Sequence, residues 1–188
     1  MKIKPSHPAL SEKRTIFIKG RKNPYDTPNV LKPVSNNNKI GKRSNRVKAK
    51  KWQGMPMFSL TLEERATCPT TCFRWVECYG NNMPFAHRYE HGELLETRLT
   101  DQLTYLARKY PGGFVVRLHI LGDFYSVDYV SFWASALKTF PSLHIFGYTA
   151  HTTGKIADAI SSVRNVYCDR FWVRTSTDLA NFENQIYA

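Results

Sequence analysis

Leu94, Leu95, Leu99, Leu103 and Leu106 repeat at helical spacing with Arg and Glu between them, which predicts a helix over 87–110. Pro111, Gly112 and Gly113 end it. The next run, FVVRLHIL over 114–121, is apolar and β-branched and reads as a strand. A loop, GDFYS, follows, with Ser126 placed to cap the next helix. That helix spans 127–140, with Val130, Trp133, Ala134 and Leu137 on one face. Pro141 and Ser142 break it. A strand over 143–148, a helix over 155–163 and a last strand over 171–174 complete the series. Upstream, MFSLTL over 57–62 has strand composition.

The order strand, helix, strand, helix, strand, helix, strand is a repeated βα unit. It implies an α/β fold with a parallel sheet and right-handed crossovers. Four such units do not close an eight-stranded barrel. The expectation is an open, partial TIM-like barrel over 52–188.

Residues 1–51 read differently. They contain Pro5, Pro8, Pro24, Pro28 and Pro33, followed by SNNNKIGKRSNRVKAKK. Apolar residues are sparse and without a clear period, a composition too polar to bury much surface. One short strand at 15–18 fits. The segment carries fifteen Lys and Arg against two Asp and Glu, whereas 52–188 carries twelve against thirteen. The net charge of +12 therefore belongs to a basic, largely irregular and flexible arm. Such an arm is the footprint of a polyanion, which makes nucleic acid the expected partner. A solvated tail has the same composition. No run reaches 18 apolar residues, so no membrane span is expected. The first ten residues hold no apolar run. The expectation is a reducing, cytoplasmic compartment, where disulfides are rare.

The candidate chemistry is concentrated in TCPTTCFRWVECYGNN, residues 67–82. Cys68, Cys72 and Cys78 are spaced C-x3-C-x5-C on one loop after the first strand. Thiolates are soft ligands and short loops close at little entropic cost, so the three can share one metal centre. A structural zinc site wants four protein ligands. The fourth would come from Cys168, His87 or His91, or the site stays open for chemistry. Buried structural thiols, or a redox or nucleophilic role, are the alternatives.

A loop leaving the carboxyl end of a strand lies where α/β folds build their sites. Polar residues at the other strand ends are candidates for the same site. Arg117 and His119 should share one face, since side chains alternate with period two. Gly122 lets a ligand approach the backbone and the carboxylate of Asp123 can hold an amine. A turn or capping aspartate is the simpler reading. Thr149, His151, Arg174, Thr175 and Ser176 complete a polar ring. Cys168 precedes the last strand and falls at the opposite end.

GMPMFSLTLEERATCPTTCFRWVECYGNNMPFAHR, GGFVVRLHILGDFYSVDYVSFW and LHIFGYTA resemble the phage "gene product 88" family over roughly residues 50–176. The resemblance implies a phage protein in the host cytoplasm. It supplies no activity. Family members continue with a further cysteine-rich segment, so it also implies a truncated member. The arrangement resembles, more distantly, radical S-adenosylmethionine proteins, whose three-cysteine loop holds a four-iron four-sulfur cluster with one iron free for S-adenosylmethionine. That resemblance implies Cys68, Cys72 and Cys78 as cluster ligands, with Tyr79 beside the last. Gly122 and Asp123 would stand in for the amine-holding motif. The spacing departs from that superfamily's usual C-x3-C-x2-C.

Three functions remain open: an iron–sulfur enzyme of radical type, a zinc-stabilised nucleic-acid-binding protein, and a non-catalytic fragment. No phosphate-cradling Gly-rich loop, Ser-His-Asp pattern or H-E-x-x-H is visible.

Overall fold

The computed structural model describes residues 1–34, 45–48 and 51–176. The lysines and arginines at 39, 42, 43 and 50 of the basic run, and the tail 177–188, lie outside the described residues. In chain order the elements are α1 (Pro8–Ser11), β1 (Arg21–Lys22), β2 (Lys32–Pro33), β3 (Met57–Ser59), α2 (Glu64–Thr67), β4 (Arg88–Tyr89), α3 (Glu93–Lys109), β5 (Phe114–Leu118), α4 (Val127–Thr139), β6 (Leu143–Thr149), α5 (Lys155–Val166) and β7 (Phe171–Thr175).

The main sheet has the order β2-β3-β5-β6-β7. From β3 to β7 its strands are parallel and follow chain order, as successive βα units require. β2 adds an antiparallel edge on β3. β1 and β4 form a separate parallel pair.

The sheet has two unlike faces because side chains alternate along each strand. Phe58, Phe114, Val116, Leu118, Leu143, Ile145, Phe171 and Val173 point to the helices and join the main core. Leu95, Leu99, Leu103 and Leu106 of α3 meet them, with Val130, Trp133 and Leu137 of α4 and Ile160 and Val163 of α5. The predicted stripes are thus the buried ones, except that Leu94 is half exposed and Ala134 is partly buried, with Ala136 buried in its place. The opposite face carries a smaller core of Val34, Val47, Trp52, Met57 and Val115.

Three expectations are corrected. No strand forms at 15–18: the Thr15 backbone N–H goes to Glu63 Oε1 at 2.9 Å, and a single 3-10 turn follows at Ile18–Gly20. The helix expected from residue 87 begins at Glu93. Arg88 and Tyr89 are held in β4 by β1, and Gly92 with φ +119° breaks the chain direction. The first 34 residues also bury more than their sparse apolar content implied. Ile3, Ala9, Val30, Leu31 and Val34 are all buried. The backbone N–H groups of Val30 and Leu31 donate to Gln102 Oε1 on α3 at 2.7 and 2.8 Å. A few well-placed residues, each with a polar anchor, suffice where composition alone shows too little apolar surface.

Candidate functional site

The cysteine loop has almost no regular structure of its own and is shaped by buried polar groups. α2 ends at Cys68, whose N–H bonds the Glu64 carbonyl at 2.9 Å. Cys72 N–H closes on Pro69 at 3.0 Å, Trp75 N–H on Cys72 at 2.8 Å and Asn81 N–H on Cys78 at 2.9 Å. Around these turns sits an ionic frame. Arg88 Nε lies 2.9 Å from Glu64 Oε2, and the two side chains are 0% and 1% exposed. A pair this deep survives only when its remaining donors are satisfied. Arg88 donates to the carbonyls of Gly80, Met83 and Ala86 at 3.0, 3.1 and 2.9 Å. Arg65 spans the loop from inside, donating to Asn81 Oδ1 at 2.8 Å and to the Trp75 carbonyl at 3.2 Å. Thr15 Oγ1 donates to Glu64 Oε1 at 2.9 Å, which ties the N-terminal segment to the same frame. Glu63, Glu64, Arg65, Asn81 and Arg88 were not singled out in the sequence, because charged residues beside a loop read as solvated. The nearest signal was three consecutive charges, Glu63, Glu64 and Arg65, directly ahead of Cys68.

Cys68, Cys72 and Cys78 line one cavity of about 240 Å³, together with Arg117, His119, Gly122, Asp123 and Ser176. It lies at the carboxyl ends of β3, β5, β6 and β7. Of the residues expected at the site, Cys68, Cys72, Cys78, Arg117, His119, Gly122, Asp123 and Ser176 line the cavity, and Thr149, His151, Arg174 and Thr175 do not. Thr149 is buried beside it, where its hydroxyl bonds the Asp123 carboxylate. Thr149 also anchors the last strand end through its carbonyl, which accepts the Ser176 N–H at 2.7 Å.

Gly122 is fixed by space and by conformation. Its φ is +84°, and a Cβ would stand 2.6 Å from both Leu62 Cβ and Thr67 Oγ1. The exit of β5 therefore packs directly on the chain that leads into the cysteine loop. Thr67 Oγ1 accepts the Asp123 N–H at 3.1 Å across the same contact. The Asp123 carboxylate is engaged on both oxygens. Oδ1 accepts the Phe124 N–H at 2.8 Å and Oδ2 the Ala150 N–H at 2.6 Å. Burial pushes its pKa up, and these bonds oppose the shift. Asp123 thus joins two strand exits, whether or not it also meets a ligand.

Arg117 and His119 reach the same cavity but do not lie on one sheet face. β5 ends at Leu118, so the period-two register stops before His119. The His119 ring turns to the start of α4, with Nε2 3.2 Å from Tyr129 Oη and Phe124 edge-on at 5.0 Å. Burial holds its pKa down to about 3, so the imidazole is neutral. Its Nδ1 is buried and has no hydrogen-bond partner.

The other residues weighed as a fourth ligand do not line the cavity. Cys168 is exposed ahead of β7, and its carbonyl accepts from Trp172 Nε1 at 2.8 Å. His87 is exposed and packs on Tyr89, and His91 is exposed and packs on Tyr125.

Among the described residues, no group of three or more His, Cys, Asp or Glu side chains is arranged to hold a metal ion. The donor chemistry nonetheless suits a soft metal or cluster. The three thiols are unbridged and share one cavity. Burial raises the pKa of each, most at Cys68, where Asp123, Cys72 and Cys78 raise it further. A positive centre would reverse that penalty, and thiolate sites commonly form only as the metal binds.

Fold and site together define an α/β protein with a three-thiol cavity at the carboxyl ends of a parallel sheet. The chain belongs to the Gene product 88 family, whose sequence model matches residues 29–184 and so takes in the sheet, the cysteine loop and every cavity residue named above. No curated protein and no solved structure matches it. Among the described residues no helix is long and apolar enough to cross a membrane.

Proposed function

We propose that Cys68, Cys72 and Cys78 hold an iron–sulfur cluster of the four-iron four-sulfur type, in a sheet that forms the arc of a partial βα barrel. The observation that carries this reading is the convergence of three free thiols on one cavity with Gly122 and Asp123 at its wall. Three protein ligands leave one cluster iron for a small molecule, and S-adenosylmethionine is the candidate. The cluster would supply one-electron chemistry. The chain's own residues would do the rest. Asp123 fixes the β5 and β6 exits, Gly122 lets the β5 exit pack on Leu62 and Thr67 at the entry to the loop, and the ionic frame of Glu64, Arg65 and Arg88 holds the loop.

A zinc site is the second reading. It is favoured by one observation: His119, whose buried Nδ1 has no hydrogen-bond partner, lines the same cavity as the three thiols. The fourth ligand would then be His119, in place of Cys168, His87 or His91.

The test is anaerobic purification followed by metal and sulfide analysis and an optical spectrum. A broad absorbance near about 400 nm, bleached by dithionite, with iron and acid-labile sulfide near four each, supports the cluster. A colourless protein with one zinc supports the second reading. Full metal content in Cys72→Ala would sink both.

A further inference from the structure

The face of the sheet turned away from the helices holds a second cavity. Alternation along β5, β6 and β7 sends Arg117, Phe146, Tyr148, Trp172 and Arg174 to that face. Trp52 closes its amino-terminal half, 4.4 Å from Trp172 and 5.3 Å from His144 between ring centroids. Toward the strand exits the face opens into a cavity of about 500 Å³. Arg117 and Tyr148 form a wall common to this cavity and the cysteine cavity.

Beside Val47, Met57 and Gly147, its lining is of two kinds. Trp52, Trp172, Phe146 and Tyr148 supply flat aromatic surface, and Lys48, Arg117 and Arg174 supply positive charge. No Asp or Glu is among the described residues that line it. Arg117 is the informative member. Its Nε is buried and makes no hydrogen bond. A buried guanidinium donor without an acceptor is costly, and a charged donor more so than a neutral one. An anionic ligand would satisfy it. Lys51 lies at the rim, with Nζ 4.7 Å from the centre of the Trp172 ring and 3.0 Å from Asp169 Oδ1, so its charge is already paired.

We infer that this cavity binds a nucleotide, with the base against the Trp52–Trp172 aromatic surface and the phosphate on Arg117. Bases stack on aromatic side chains whatever their sequence, and arginine forks match phosphate oxygens. The volume falls in the range of about 300–1,000 Å³ that encloses one small ligand. The same chemistry is offered by a free nucleotide or by one unit of a single strand. The inference stands apart from the thiol site, since it needs no metal.

The experiment is isothermal calorimetry on the full chain with uridine 5′-monophosphate, uridine and an eight-residue deoxythymidine oligonucleotide. Chelator-treated, metal-free protein is run beside protein as purified, so that failure of the metal reading leaves the result intact. Uridine 5′-monophosphate is expected to bind saturably in both preparations, and uridine more weakly. Arg117→Met is expected to weaken the monophosphate by roughly 10- to 100-fold, the worth of a charged hydrogen bond, and to leave uridine unchanged. Trp172→Leu is expected to weaken both. If Arg117→Met does not fold by circular dichroism, Arg117→Lys replaces it, with the same selective loss expected from removal of the fork. Tighter binding of the oligonucleotide, falling steeply with salt, identifies a single strand as the source, and equal or weaker binding identifies a free nucleotide. No saturable binding of either at millimolar concentration, or unchanged affinity in the Arg117 variant, overturns the inference.

Discussion

Asp123 Oδ2 accepts the backbone N–H of Ala150 at 2.6 Å, and this bond joins the exit of β5 to the exit of β6 beside the three thiols. An aspartate in a G-D turn looks like a local capping residue. Here its second oxygen works across 27 positions of sequence, while the first takes the neighbouring Phe124 N–H.

Asp123→Asn therefore sets an amide donor against one of two backbone donors. The expected loss is about 1–3 kcal/mol of unfolding free energy, the cost of a buried unsatisfied group. Hydrogen exchange at the Ala150 amide should speed up in parallel. Unchanged denaturation and unchanged protection at Ala150 would remove Asp123 from the role of a strand-exit tie.

Gly122→Ala tests the close approach between β5 and the entry to the cysteine loop. The added methyl meets Leu62 and Thr67 while the backbone is held at positive φ. A loss of about 2 kcal/mol or more is expected from strain and overpacking together. Guanidinium titration reads it directly. A variant as stable as the parent would mean that the two segments can separate freely.

The buried Arg88–Glu64 pair predicts strong asymmetry between single and double changes. Arg88→Met leaves the buried Glu64 carboxylate with Arg65 Nη1, 3.8 Å away, as its ion-pair partner among the described residues, at an expected cost of about 3 kcal/mol. Combining it with Glu64→Gln should recover part of that loss, which a double-mutant cycle measures. Simple additivity would show that the two side chains do not depend on each other.

Acid stability reports on His119. Burial lowers its folded pKa to about 3 from an ordinary value of 6.5. Between those limits the unfolded chain takes up a proton and the folded chain does not. Stability from the neutral ring is complete above pH 6.5 and declines as pH falls, by about 1.4 kcal/mol per unit. The stability difference between wild type and His119→Gln should therefore shrink by about 2–3 kcal/mol from pH 7 to pH 4.5. A difference that stays constant over that range would place a charged, solvated imidazole at this position.

Local pattern was sufficient for the elements of the α/β unit. The leucine stripe of α3, the apolar strands and the Ser126 cap, which accepts the Tyr129 N–H at 3.0 Å, are all written in residues a few positions apart. The thiol cluster and the residues around it were legible for a related reason. A parallel sheet places every strand exit at one end, so Cys68, Gly122, Asp123 and Ser176 converge once the βα order is recognised.

What only tertiary structure decided was pairing between distant polar groups. Nothing in the chain announces that Arg88 turns inward to Glu64, or that Thr15 closes the same frame from 49 positions away. Charge and solvation look alike in a sequence, and only the partner's position separates a buried ion from a surface one. The same holds for the N-terminal segment. Its sparse apolar residues gave no period, yet Val30 and Leu31 are buried because Gln102 on α3 accepts both of their backbone donors. Register ending at Leu118 likewise parted His119 from Arg117, since alternation holds only while the ladder of strand hydrogen bonds continues.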